Sequence, residues 1–181
     1  VKIPSRETVY EYYLDTKTAR FDVWKNSPYF YQVEFDSSKD NMGSVTVPPP
    51  ETSSVDFWVR KLLEREYPVM LVGYAGCGKT QLINGVLRSQ DPSKRKSLAI
   101  NFNFYTNSNL LQSTLEAPLE KKTGTTFGPQ GVNTKLIYFL DDLNLPEVDV
   151  YNTQSAIAIA RQHIDYGHWY DRGKLAIKNI K

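Results

Sequence analysis

The sequence has one cysteine, two histidines, two methionines and a net charge of only +2, and each scarcity removes a class of function. Cys77 alone cannot make an internal disulfide, which fits a reducing compartment. His163 and His168 stand five apart, so one helix face does not present both, and with a single cysteine they make no zinc cluster. With 22 basic and 20 acidic residues there is no field of one sign to imply a nucleic-acid partner. Apolar runs such as those at 69–72 and 136–140 are far too short to span a bilayer, so no membrane partner is expected. The start has no apolar stretch of signal-peptide length. The first residue is Val1 rather than methionine, which points to an excerpt of something longer.

What is present is a chain of 181 residues, 40% hydrophobic and 13% aromatic, enough for a core. Aromatic and β-branched residues at 10–15 and 19–24 flank the polar Thr16-Lys17-Thr18, which predicts a hairpin. A polar stretch, 37–44, leads into Val45-Thr46-Val47-Pro48-Pro49-Pro50, a stiff extended linker. Residues 1–50 thus read as an extended, hairpin-bearing segment ahead of a module at 51–181. A helix beginning near Glu51 carries Val55, Trp58, Val59, Leu62 and Leu63 at helical spacing, with Trp58 expected in the core.

Beyond it the period alternates. Pro68-Val69-Met70-Leu71-Val72 reads as a parallel strand buried on both faces. Leu82, Ile83, Val86 and Leu87 form one helical stripe. Leu98, Ile100, Phe102 and Phe104 mark a second strand. A helix capped within 106–108 carries Leu110, Leu111, Leu115 and Leu119, bent near Pro118. A loop is expected over 124–134 and a third strand over 135–140. A helix from about Thr153 buries Ala156, Ile157, Ala160 and Ile164 and stops at Gly167. A second hairpin pairs 168–170 with 175–177. Strands alternating with helices predict an α/β fold with a mostly parallel sheet.

Gly73-Tyr74-Ala75-Gly76-Cys77-Gly78-Lys79-Thr80 matches the phosphate-loop pattern G-x-x-x-x-G-K-[ST] at every fixed position. Glycines allow the backbone to aim successive N–H groups inward, and the next helix adds the positive end of its dipole. Lys79 is expected to reach the outer phosphates as a point charge, and the Thr80 hydroxyl to ligate Mg²⁺. Cys77 occupies a variable position of the motif and is expected to be open to alkylation without a mechanistic role. The strand 135–140 ends in Asp141, which in a P-loop protein would hold Mg²⁺ through water. Asp142 follows where hydrolytic relatives of this fold carry a water-orienting glutamate. Aspartate is shorter by one methylene, so its carboxylate falls back by about 1 Å, a displacement that can cost roughly a hundredfold in rate. Either the backbone compensates for the lost length, or the site holds nucleotide well and turns it over slowly; the slow, regulatory site is the expectation.

With these features in hand, the sequence resembles the dynein heavy chains over essentially its whole length. The resemblance rests on Pro118-Leu119-Glu120-Lys121-Lys122 with Phe127-Gly128-Pro129, and on Asp141-Asp142-Leu143-Asn144-Leu145-Pro146-Glu147-Val148-Asp149. A third block is Arg161-Gln162-His163-Ile164-Asp165-Tyr166-Gly167-His168-Trp169-Tyr170-Asp171-Arg172. A good phosphate loop followed by Asp-Asp-x-Asn-x-Pro is similar to the third of six AAA+ modules in axonemal dyneins, most of all the outer-arm β-type chains. The resemblance implies a P-loop NTPase (AAA+) parallel sheet flanked by helices, incomplete at its C-terminus, in an ATP-driven microtubule motor of cilia and flagella. It implies a regulatory ATP/ADP site with Mg²⁺, adenine contacts near Val45 and Val47, and neighbouring AAA+ modules of the same heavy chain as partners. Intermediate and light chains and microtubules would be met through other parts of the parent, in the cytoplasm and cytoskeleton of the axoneme.

Asn101 or Asn103 could restrain the catalytic acid, with structural hydrogen bonding the leading account. The chain stops before the family's sensor strand and helical lid. The strand that normally lies between those before Gly73 and before Asp141 is missing, so those two are expected not to pair and the excerpt to fold poorly alone. A GTPase would need N-K-x-D, and Asn144-Leu145-Pro146-Glu147 is not one. Another P-loop ATPase, and a catalytically inactive ring element responding to bound nucleotide, stay open as alternatives.

Overall fold

The computed structural model describes residues 8–30 and 47–181; the polar stretch 37–44 and Val45 lie outside them. The chain divides into two compact units, 1–86 and 87–181.

In the first unit, β1 (Tyr12–Asp15) and β2 (Arg20–Val23) form the expected antiparallel hairpin, with Tyr12 opposite Val23 and Asp15 opposite Arg20. Its turn is held by Asp15, whose carboxylate accepts from the Lys17 amide at 2.9 Å and the Thr18 hydroxyl at 2.7 Å. Trp24 is buried, donates its indole N–H to the Tyr10 carbonyl at 3.0 Å, and packs between Tyr13 and Phe57. Phe57 belongs to α1 (Pro50–Glu64), so an aromatic cluster fastens the hairpin to that helix. Proline at the first helical position starts α1 without losing a needed donor. The hairpin covers the Phe57 side, which leaves Trp58 56% exposed rather than in the core. Val55 and Leu62 share that uncovered stripe.

Residues 68–72 correct a second expectation. They belong to no ladder, and Val69, Met70 and Val72 are exposed. The apolar run has strand composition, but a strand is stabilised by a neighbour, and the described residues supply none. The next helix, α2 (Lys79–Arg88), buries Val86 and partly buries Leu82, Ile83 and Leu87, the stripe read from the sequence.

The second unit is built on two parallel strands, β3 (Arg95–Asn101) and β6 (Lys135–Asp141), in continuous register from Arg95 opposite Lys135 to Asn101 opposite Asp141. Helix α3 (Ser108–Glu116) is capped by Asn107, whose side-chain oxygen accepts from the amides of Asn109 and Leu110. Helix α4 (Ser155–Tyr166) stops at Gly167. Ile100, Phe102, Leu111, Leu115, Ala156 and Trp169 form the core. Phe104 lies beyond the strand and is exposed, and Ile164 is 58% exposed on the outer face of α4.

Where a bent helix and a loop were expected, the chain instead makes β4 (Leu119–Thr123) and β5 (Thr126–Pro129), joined by a tight turn at Gly124-Thr125. Pro118 ends the helix rather than bending it, and Leu119 opens a strand. The exposed Glu120, Lys121 and Lys122 had hidden any alternation. The second hairpin forms as expected from β7 (His168–Tyr170) and β8 (Ile177–Ile180), and β8 pairs in parallel with β5 to make a four-stranded sheet.

Candidate functional site

The phosphate loop leads directly into α2, where the Leu82 amide donates to the Gly78 carbonyl at 2.9 Å. Gly76 and Gly78 sit at φ of 77° and 83°, a left-handed region that a side chain makes costly, so the motif glycines stand where the backbone demands them. At Gly73 the demand is spatial, since an added Cβ would lie 3.1 Å from the Cys77 sulfur. The Lys79 ammonium is folded back across the loop, donating to the carbonyls of Gly73 at 2.9 Å and Tyr74 at 2.7 Å and lying 3.4 Å from the Cys77 Sγ. Tyr74, Ala75, Gly76, Cys77 and Gly78 are exposed, with Thr80 exposed in the first turn of α2. A loop with left-handed glycines before a helix N-terminus, crossed by one ammonium, is a nest that fits a phosphate chain.

The acidic pair lies in the second unit. Asp141 is the last residue of β6; its backbone carbonyl accepts from Phe102 N–H at 3.0 Å, and its side-chain Oδ1 accepts from the Asp142 amide at 3.0 Å. Asp142 is exposed and left-handed, φ 54°, and its carbonyl accepts from Leu145 N–H at 3.0 Å. This position is therefore shorter than glutamate and also turned out of the strand direction, which the sequence did not reveal. Aspartate tolerates a left-handed backbone better than most residues because its short carboxylate bonds locally.

Two asparagines take different places. Asn101 is the register partner of Asp141 on the neighbouring strand. Asn103 is spent on a turn, its side-chain oxygen accepting from the Tyr105 amide while its own amide donates to Thr106 Oγ1. Val47 is 71% exposed, and Val45 lies outside the described residues. Gln154, which sequence reasoning missed, clamps the loop after Asp142 by donating to the carbonyls of Pro146 at 2.6 Å and Asn144 at 3.3 Å. A lone glutamine ahead of a helix carries no pattern that would single it out.

Behind the acidic strand, a polar network ties α3 to the second hairpin. Glu116 accepts from Trp169 Nε1 at 2.7 Å, Gln112 Nε2 at 2.8 Å and Lys178 Nζ at 2.8 Å, and Lys178 also meets Asp171 at 3.1 Å. Burial pushes the Glu116 carboxyl up, but the hydrogen bonds from Lys178, Gln112 and Trp169 outweigh it and hold it below its ordinary value. Tyr138 donates its hydroxyl to the Leu115 carbonyl at 2.8 Å, and burial pushes that phenol up. These contacts fix β6 and so the position of Asp141 within this unit.

The family whose members are described as the P-loop containing dynein motor region matches residues 34–181. The human dynein axonemal heavy chain 9 is 48% identical over 180 residues, 99% of this chain. The flagellar outer-arm dynein alpha chain of Chlamydomonas reinhardtii is 44% identical, and the ciliary dynein beta chain of Heliocidaris crassispina 42%, each again over 99% of this chain. In all three cases the chain spans 4% of the relative's length. The P-loop, the parallel strand pair ending in Asp141 and the family match agree: the chain belongs to the P-loop containing dynein motor region family, and the relatives it resembles are axonemal, flagellar and ciliary heavy chains.

Proposed function

We propose that this chain is the nucleotide-binding part of an AAA+ module in a dynein heavy chain, and that its site holds ATP or ADP and splits ATP slowly. The third module of the ring is the reading, with residues 51–181 as part of its large subdomain and the hairpin segment leading into it. Residues 73–80 would cradle the phosphates, and Lys79 would exchange its bonds to the Gly73 and Tyr74 carbonyls for phosphate oxygens. Thr80 and Asp141 would serve Mg²⁺, which when bound neutralises charge on the phosphate oxygens. Val45 and Val47 would meet the adenine. The parent protein would be an ATP-driven motor on microtubules in the axoneme, with the neighbouring modules of the same chain and intermediate and light chains as partners.

The observation that carries the slow-site reading is Asp142. Its carboxylate is one methylene short of glutamate and projects from a left-handed backbone. The missing methylene draws the acid back from where a glutamate would reach, and a displacement of about 1 Å can cost around a hundredfold. Asp142→Glu in the protein that carries this sequence restores reach at some cost in backbone strain, so steady-state turnover is expected to rise while ATP affinity stays within about twofold. Unchanged or lower turnover, with the site filled, would remove Asp142 as the cause.

A further inference from the structure

At the amino end of the β3–β6 pair lies a cavity of about 370 Å³, lined by Gln90, Asp91, Lys94, Arg95, Asn133 and Lys135. Arg95 and Lys135 are register partners on adjacent parallel strands and so share one face of the pair. Asp141 closes the same strand six residues on, about 20 Å away, so this cavity is separate from the acidic pair. Its walls are tied together. The Lys94 and Arg95 amides donate to the Asp91 carbonyl, and the Lys135 amide donates to the Lys94 carbonyl at 2.9 Å. Gln90 Oε1 accepts from Arg95 Nη1 at 2.9 Å and steadies the guanidinium plane.

We propose that this cavity binds a phosphoryl dianion. Three cations face one carboxylate, a surplus that matches two negative charges and overshoots the single charge of a carboxylate ligand. A guanidinium fork with two ammonium groups and the Asn133 amide offers donors around a tetrahedral anion. No lining residue is apolar or aromatic, so nothing there would hold a base or a greasy side chain. Asp91 lies within the site, its Oδ2 3.9 Å from the Lys94 ammonium, a long contact that an incoming dianion would have to compete with. Its Oδ1 accepts from the Ser93 amide at 3.0 Å and the Ser93 hydroxyl at 2.7 Å, which engages that oxygen in the turn. The phosphoryl group can be free, as inorganic phosphate or pyrophosphate, or borne on a phosphorylated side chain.

The test is lysine acylation footprinting, read by mass spectrometry, on the full protein carrying this sequence. Pyrophosphate and a phosphoserine peptide are titrated separately, with triglutamate as the carboxylate control and the exposed Lys25 as the reference amine. Lys94 and Lys135 are expected to be protected by a phosphoryl probe while Lys25 is not; the probe acting at lower concentration names the source. Arg95→Gln should raise the half-protecting concentration roughly tenfold or more. Asp91→Asn keeps the turn acceptor and removes the opposing charge, so it should lower that concentration severalfold. Protection no greater than at Lys25, equal protection by triglutamate, or an unchanged midpoint in Asp91→Asn would each overturn the assignment.

Discussion

At the scale of single residues, the phosphate loop shows how closely a motif can anticipate a backbone. The pattern named Gly78 by its spacing, and the structure places it at φ 83°, where a Cβ is disfavoured although space is open around it. Gly78→Ala should therefore cost about 1–2 kcal/mol of loop conformation and weaken ATP binding by roughly tenfold, with little change in circular dichroism. A binding curve unchanged by that substitution would mean that the nest is not built from this conformation. Asp142 shows the opposite case. Its identity announced a short acid, but its left-handed φ of 54° follows from the turn closed by Leu145, which no local pattern displays.

Elements were legible where periodicity and punctuation agreed. The hairpin over 12–23, the strand ending in Asp141 and the helix stopping at Gly167 were all readable from composition and breakers. The pair β4 and β5 was not, because exposed Glu120, Lys121 and Lys122 leave no alternation and Pro118 could bend a helix as well as end it. Polar networks between elements are equally hidden, since Glu116 and Lys178 stand far apart in sequence. Their pH behaviour is now predictable. Glu116 is held below its ordinary 4.5, so its stabilising effect is full above that value and is lost as pH falls through the lowered one. Lys178 has the opposite sign: burial lowers it, the bonds to Glu116 and Asp171 raise it further, and its effect fades only as pH climbs beyond 10.5. Glu116→Gln should cost about 1–2 kcal/mol at neutral pH and flatten the acid limb of stability. Emission from Trp169, whose indole donates to Glu116, reports the change directly, and an unaltered acid limb would show that other carboxylates govern it.

For the molecule as a whole, the run 68–72 is the informative misreading. Its composition asks for a buried strand, yet Val69, Met70 and Val72 meet solvent and no ladder among the described residues includes them. A segment with exposed apolar side chains and no ladder partner among the described residues lacks what makes unfolding cooperative. The 181-residue chain alone is therefore expected to melt without one sharp transition. Coincident, steep curves from Trp24 and Trp169, which sit in different units, would contradict that expectation.

The central claim is that residues 73–80 bind the phosphates of ATP through Lys79. Titration of the complete protein with labelled ATP, with and without Lys79→Ala, tests it most directly. The account predicts at least a roughly tenfold loss of affinity at this site when the ammonium is removed, the order expected for a charge-assisted bond to phosphate. Affinity unchanged by Lys79→Ala would contradict it.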